Sequence, residues 1–155
     1  MKKISFIVLC VVTCFLGSCT NDNDEYRVNF NEAEFNQKYE LWKIQNFQNY
    51  TFKFAYFASS GPFDINVIVE NGVPSGDSDY SQAYTIDEVF DKIKNDYNEA
   101  LNQNSSDLKQ VSIEVTYNKE YHYPESIKYS TLYKGTQSDG GAFYDIRIDD
   151  FIKVD

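Results

Sequence analysis

The sequence predicts an α+β domain in which an antiparallel sheet of about five strands carries two helices on one face. Apolar residues alternate with polar ones in several stretches, as in strands with one buried face. Two other stretches place apolar residues at spacings of three and four, as in amphipathic helices. The predicted order along the chain is α-β-β-α-β-β-β, and the short links favour antiparallel neighbours.

The first helix is predicted to begin at the stretch "NEAE". Asn31 can accept a hydrogen bond from the backbone while Glu34 reaches back, which makes a capping box. Phe35, Tyr39 and Trp42 then fall on one stripe of the helix. This stripe is expected to pack on the sheet.

Two strands and a hairpin follow. The stretch "YTFKFAYFA", Tyr50–Ala58, alternates strictly, and apolar residues recur at every second position over Ile65–Val69. Asn71-Gly72 after them is the strongest short hairpin signal. Pro74 cannot donate to a strand ladder, so only a short returning segment is predicted there.

The second helix is the element that the sequence specifies best. Thr85 and Glu88 have the spacing of a capping box. The apolar stripe that follows consists of Ile86, Val89, Phe90, Ile93, Tyr97 and Leu101.

Three further strands are predicted around Val111–Tyr117, Ile127–Tyr129 and Tyr144–Ile148, each from alternation. The residues between their apolar positions include Thr, Ser, Lys and Glu. The second face of the sheet is therefore expected to be solvated.

The N-terminus indicates export. Lys2 and Lys3 precede an apolar run, Ile4–Leu16, which has the length of a signal-peptide core and is too short to span a bilayer. The "LGSC" that follows resembles a bacterial lipobox, which implies that residues 1–18 are removed and that Cys19 carries the lipid, including palmitate. Residues 19–28 are then an acylated tether, and residues 29–155 a single domain.

The residue after Cys19 indicates the destination. An aspartate at that position favours the inner membrane in many Gram-negative lipoproteins, and this chain has Thr20 instead. A lipid-anchored protein of the outer membrane is therefore predicted, facing the periplasm or the cell surface. The acidic residues Asp22, Asp24 and Glu25 resemble surface-export signals.

Composition excludes several functions. Removing Lys2 and Lys3 changes the formal net charge from −10 to −12, and an acidic surface of this kind repels nucleic acid. Cys10 and Cys14 leave with the signal peptide. No disulfide, cysteine nucleophile or zinc-cysteine site is therefore expected in the domain.

Several stretches together resemble a family of small bacterial lipoproteins that is defined only as a domain of unknown function. They are the tryptophan helix, "NYTFKFAYF", "INVIVENGVP", "YTIDEVFDKI" and "VSIEVTYNKEYHYPESIKYS". The resemblance covers Leu41 to about Phe151 and implies a fold without an activity. Many members carry a cysteine pair after the first strand, where this chain has Ala58, Ser59 and Ser60.

The single histidine, His122, lies in "YNKEYHYPESI". Together with Ser126 and a nearby aspartate it could form a hydrolytic triad, but no serine has a nucleophile-elbow context. The alternative is a bend between two strands in which Tyr121 and Tyr123 pack on the sheet and His122 points outward. We therefore predict no catalytic residue.

No metal or cofactor is predicted. Acidic stretches occur around Asp22, Asp77, Asp139 and Asp149, but none has the glycine and distal glutamate of a calcium-binding EF-hand loop. Turns and solvated strand ends explain them.

The aromatic residues off the clearest core stripes are the candidates for a binding surface, together with His122. They are Phe57, Tyr80, Tyr121, Tyr123 and Tyr133. The leading hypothesis is a non-enzymatic envelope module that binds a protein or a glycan. One alternative is an inhibitor-like module that presents loops 75–82 and 134–141 to an enzyme. The other is a small hydrolase that uses His122.

The lipid anchor gives the first testable prediction. Replacing the acylated residue, Cys19→Ala, should move the protein out of the membrane fraction, because stable anchoring needs the attached acyl chains. Unchanged membrane fractionation of this variant would contradict the prediction.

Overall fold

A computed structural model of the chain describes residues 25–77, 83–103, 106–135 and 141–154. They form an α+β fold, and neither helix in these ranges is long and apolar enough to cross a membrane. The elements are β1 Arg27–Asn29, α1 Glu32–Gln45, β2 Tyr50–Ala58, β3 Gly61–Glu70, β4 Val73–Gly76, α2 Ile86–Asn102, β5 Leu108–Tyr117, β6 Pro124–Tyr133 and β7 Phe143–Lys153. The strand order in the sheet is β1-β5-β6-β7-β2-β3-β4, and of these neighbours only β1 and β5 run parallel.

The predicted α+β class with two helices and an antiparallel sheet is confirmed, but the count of about five strands is wrong. The described residues form seven strands, because two short strands lie at the edges: β1, which was not predicted, and β4, which is the returning segment predicted after Asn71-Gly72. Both are three or four residues long, too short to give a periodic pattern in the sequence. They form because a longer strand beside each of them offers backbone hydrogen bonds.

The strand β1 also corrects the boundary of the predicted tether. Arg27 and Val28, which were assigned to the tether at residues 19–28, pair with Gln110 and Val111 of β5. Just before them, the hydroxyl of Tyr26 donates to a carbonyl of α2 at 2.7 Å. The folded domain therefore begins before residue 29.

The two helices differ in which hydrogen bonds of the predicted capping boxes are present. At α2 the capping box is complete: Thr85 accepts from the backbone N–H of Glu88, and the Glu88 carboxylate accepts from the backbone N–H of Thr85. At α1, Asn31 accepts from the backbone N–H of Glu34 at 3.2 Å. The carboxylate of Glu34, however, accepts from the side-chain amide of Asn31, so this box is only half formed.

The core lies between the sheet and the helices. The buried strand residues on this helix-facing side are Tyr50, Phe52, Phe54, Ile65, Val67, Val69, Val111, Ile113, Ile127, Tyr144, Ile146 and Ile148. From α1, the Trp42 ring contacts Tyr50 at 5.8 Å between centroids. From α2, the Phe90 ring contacts Tyr117 at 6.4 Å and Phe35 of α1 at 5.8 Å. The helices thus contact the sheet and each other through aromatic rings.

A bulge in β7 changes which side chains face the helices. The pairing between β2 and β7 shifts between Thr51 and Lys53, and Asp150 opposite this shift has a positive φ of 54°. Simple alternation from Ile148 would turn residue 150 inward. Because the bulge inserts one residue, Phe151 faces inward instead, where its ring contacts Trp42 at 5.9 Å.

The apolar stripe of α2 ends earlier than predicted. Leu101 was assigned to the stripe, but it is 55% exposed, whereas Ala100 is buried. The carbonyl of Ala100 accepts the hydroxyl of Tyr26, so the chain before β1 covers this part of the helix.

Two buried tyrosines connect α2 to the sheet. The hydroxyl of Tyr50 accepts the backbone N–H of Ile86 at 3.1 Å, and burial raises the pKa of Tyr50 to about 12. The hydroxyl of Tyr144 donates to the carboxylate of Asp96. Burial, followed by the charge of Asp96, raises the pKa of Tyr144 far above its ordinary value.

The contrast between two positions of α2 gives a prediction about stability. Phe90→Ala should lower the free energy of unfolding by about 3–5 kcal/mol, because it opens a cavity among buried rings. Leu101→Ala on the same helix should change it by less than about 0.5 kcal/mol. Urea unfolding of both variants measures the difference, and equal effects would contradict the assigned burial.

The buried tyrosines predict a loss of stability in alkali. An unfolded tyrosine titrates near pH 10, whereas folded Tyr50 keeps its proton to about pH 12. The unfolded chain therefore binds fewer protons in this range, so the free energy of unfolding falls as pH rises from 10 to 12.

Tyr144→Phe tests the origin of this loss. The variant lacks one ionisable hydroxyl, so its stability should fall less steeply, by up to about 1.4 kcal/mol per pH unit. Urea midpoints measured from pH 8 to 12 give the slope. An unchanged slope would show that Tyr144 does not contribute.

Candidate functional site

The bend around His122 is closed by one asparagine. The side-chain oxygen of Asn118 accepts the backbone N–H groups of Glu120 and Tyr121 at 2.9 and 2.8 Å, which is the geometry of an Asx turn. Its backbone N–H donates to the carbonyl of Tyr123 at 2.8 Å, and its carbonyl accepts the N–H of His122. This sequence stretch is therefore a compact connection between β5 and β6.

Among the described residues, none forms a hydrogen bond with the buried ring nitrogen of His122. His122 is half-buried, with a positive φ of 68°, and its Nδ1 has no hydrogen-bond partner among the described residues. The expectation that the side chain points outward is therefore only partly right. A histidine that acts as a general base is normally oriented by a second group, so this geometry gives the hydrolase hypothesis no support.

Tyr121 and Tyr123 pack within the fold as expected, and this removes Tyr123 from the candidate binding surface. Tyr123 is only 5% exposed, and its ring stacks on Phe151 at 4.7 Å between centroids. The half-buried ring of Tyr121 contacts Phe47 and Phe151 at about 5.5 Å. The placement of Tyr123 on a binding surface is wrong, because Phe151 and Trp42 cover it.

The other predicted site residues lie apart. Tyr133 is exposed at the end of β6, on the part of the sheet next to β5. Cys19 and Tyr80 lie outside the described residues, as do positions 78–82 and 136–140 of the two predicted inhibitory loops. Among the described candidates, Tyr133 at the end of β6 and the His122 bend before its start therefore do not form one site.

A cavity of about 560 Å³ lies elsewhere, at the end of the sheet formed by the β2–β3 hairpin and β7. Phe57 lies in it and is 50% exposed, as its position off the core stripes predicted. The Phe57 ring contacts that of Phe143, which is 41% exposed, at 5.9 Å between centroids. We call this the open-face cavity, and its lining residues are Ala55, Tyr56, Phe57, Pro62, Phe63, Asp64, Asp145 and Arg147.

The two carboxylates of the open-face cavity differ in their ion pairs. Asp64 forms an ion pair with Lys53 at 2.7 Å. Asp145 lies 3.6 Å from Arg147, beyond hydrogen-bond distance. The other oxygen of Asp145, Oδ1, is shielded from solvent and has no hydrogen-bond partner in the described part of the chain. Asp145 Oδ2 and the exposed Arg147 therefore keep hydrogen-bonding capacity that neither uses on the other.

A second cavity of about 310 Å³, the inner cavity, lies under α2 on the helix-facing side and includes Tyr84 and Lys92 in its lining. Its polar groups already satisfy one another. Lys92 forms an ion pair with Asp96 at 3.0 Å and lies 4.2 Å from the ring centroid of Tyr144, whose hydroxyl donates to Asp96. The open-face cavity is therefore the better candidate for a ligand.

Four rings stack on the helix-facing side of the strands that carry the open-face cavity, and two of them, Tyr56 and Phe63, also contribute to its lining. Tyr129, Tyr144, Tyr56 and Phe63 stack in this order across β6, β7, β2 and β3, with centroids 5.1, 5.8 and 5.2 Å apart. Contacts between cross-strand aromatic neighbours stabilise a sheet. The residues above them are consequently held on rigid strands.

Phe143, Asp145, Arg147 and Asp64 were not identified from the sequence as site residues. Alternation placed Asp145 and Arg147 on the solvated face, which is where they lie. The pairing of Phe57 with Asp145, and of Ala55 with both Arg147 and Asp64, brings them together. Because β2 and β7 are far apart in the sequence, no local sequence pattern predicts that they pair.

No group of three or more His, Cys, Asp or Glu side chains in the described ranges is arranged to hold a metal ion. Of the acidic residues considered for calcium, Asp77 uses both carboxylate oxygens to accept from Asn66, at 3.0 Å from its backbone N–H and 2.6 Å from its side chain. These hydrogen bonds lower the pKa of Asp77. The Asp77 carboxylate therefore binds Asn66 of β3 just after the last residue pair between β3 and β4.

Comparison of the chain with known protein families, with curated proteins and with solved structures gave no match. The resemblance of Leu41–Phe151 to small lipoproteins of unknown function stays a prediction.

Proposed function

We propose that the protein is a lipid-anchored module of the bacterial outer membrane that binds a protein or glycan partner without catalysing a reaction. Cys19 holds the protein to the membrane, and the open-face cavity holds the ligand. The single observation that carries the binding role is this cavity of about 560 Å³, in which the exposed ring of Phe57, in contact with the exposed Phe143, lies beside Asp145 and Arg147, two groups that do not hydrogen-bond each other.

The size and chemistry of the cavity support binding. Ligand sites are typically clefts of about 300–1,000 Å³ with apolar walls and a few polar groups that fix orientation. Phe57 and Phe143 supply apolar contact area, while Asp145 and Arg147 supply an acceptor and donors. All four side chains project from strands, which hold a site more precisely than loops do.

The absence of catalytic geometry around the candidate groups supports a non-enzymatic role. A general base and a nucleophile need to lie within hydrogen-bond reach of each other. Asp145 Oδ1 has no hydrogen-bond partner among the described residues, and neither has His122 Nδ1. Carboxylate and guanidinium groups with these surroundings are suited to hold a ligand.

Affinity capture from intact cells tests the proposal. The tethered wild-type protein is isolated in mild detergent, and the co-isolated material is analysed for both protein and sugar. A double variant, Phe57→Ala with Phe143→Ala, should recover at least about tenfold less of the partner, because aromatic residues at the centre of a binding site dominate its affinity.

Tyr133→Ala is the matched control, since it removes an exposed aromatic ring that does not line the open-face cavity. It should recover the partner as the wild type does. Equal recovery by the double variant and the wild type would contradict a ligand site at this cavity. Recovery that Cys19→Ala leaves unchanged on intact cells would contradict the role of the anchor.

A further inference from the structure

We propose that the ligand of the open-face cavity is a neutral carbohydrate, which stacks on Phe57 and Phe143 and donates a hydroxyl to Asp145. This inference rests on the proposed binding function and names its ligand class. Three features at the cavity lead to it: two exposed rings in contact, a carboxylate and a guanidinium that do not hydrogen-bond each other, and a balance of charge.

The exposed rings provide a stacking surface. The Phe57 and Phe143 centroids are 5.9 Å apart and their planes differ by 38°, so together they form a shallow curved platform. The face of an aromatic ring is electronegative and attracts groups with partial positive charge. A sugar ring presents such C–H groups on one face, while its hydroxyl groups project around the rim.

The polar groups beside this platform match hydroxyl groups. A carboxylate only accepts hydrogen bonds and a guanidinium only donates them, whereas a hydroxyl does both. The Asp145 side chain keeps 23% of its surface exposed, and its Oδ2 lies 3.6 Å from the exposed Arg147, too far for a hydrogen bond, so neither group uses its hydrogen-bonding capacity on the other. Neighbouring hydroxyls of one sugar can donate to Asp145 and accept from Arg147 at the same time.

The charge of the surroundings favours a neutral ligand. Three carboxylates on this face, Asp64, Asp145 and Asp149, are balanced by three cations, Lys53, Arg147 and Lys128. The formal charge of the whole chain is −10, so an anionic polymer is repelled. A cationic ligand is disfavoured because Asp64 is already paired with Lys53 at 2.7 Å and Asp145 lies beside Arg147 at 3.6 Å.

The extent of the platform favours a sugar over a protein. A stable protein interface buries about 800 Å² on each partner around an apolar centre. The exposed rings here lie at one end of the sheet, and toward its middle the same face carries charged and polar side chains such as Lys53, Asn66 and Lys128. Two rings with an adjacent acceptor fit one or a few sugar units.

Affinity electrophoresis of the full chain, extracted from membranes in neutral detergent, tests the inference. Native gels contain one polymer each: dextran, laminarin, xylan or galactomannan as neutral polysaccharides, or polygalacturonate as an anionic one. At least one neutral polymer should retard the wild type, and polygalacturonate should not. Phe57→Ala and the isosteric Asp145→Asn should each weaken the retardation at least about tenfold.

Tyr133→Ala should migrate as the wild type does in every gel, and the circular dichroism of all variants should be unchanged. Retardation by polygalacturonate alone, or retardation that both variants retain, overturns the inference. Lack of retardation by all four neutral polymers overturns it too. In that case the binding module stands if capture from intact cells still depends on Phe57 and Phe143, and it fails if that capture is independent of them.

Discussion

The fold depends on removing one face of the sheet from water. Residues 20–155 contain no cysteine, so no disulfide can hold this domain together. Apolar burial therefore has to supply its stability. The alternating residues of β2, β3, β5, β6 and β7 meet α1 and α2 on one side, and Phe90 and Trp42 join the layers through ring contacts. Every other feature of the domain is arranged around this buried layer.

Two backbone irregularities place additional aromatic side chains in the buried layer between sheet and helices, where simple strand alternation would not. The bulge at Asp150 turns Phe151 inward, and the Asx turn at Asn118 positions Tyr121 and Tyr123. Phe151 then contacts both tyrosines. The bend that holds the only histidine therefore serves packing, and the strained backbone of His122 belongs to this turn.

The two faces of the same strands have opposite chemistry. On the helix-facing side, Tyr144 and Lys92 both interact with Asp96, so the polar groups are satisfied internally. On the open face, Asp145 and Arg147 lie 3.6 Å apart without a hydrogen bond, beside the exposed Phe57. Adjacent residues of β7 therefore differ: Tyr144 is satisfied within the core, whereas Asp145 lies on a surface suited to a ligand.

The sequence by itself determined the two helices, the capping box at Thr85, the Asn71-Gly72 hairpin and five of the strands. These depend on contacts between residues close in the chain and on periodicity, which a sequence displays directly. The exposure of Phe57 was likewise readable from its position off the core stripe. Only the tertiary structure decided the edge strand β1, the burial of Tyr123 and the cavity at Asp145. Each of these results from pairing or packing between elements far apart in sequence, and such contacts leave no local pattern.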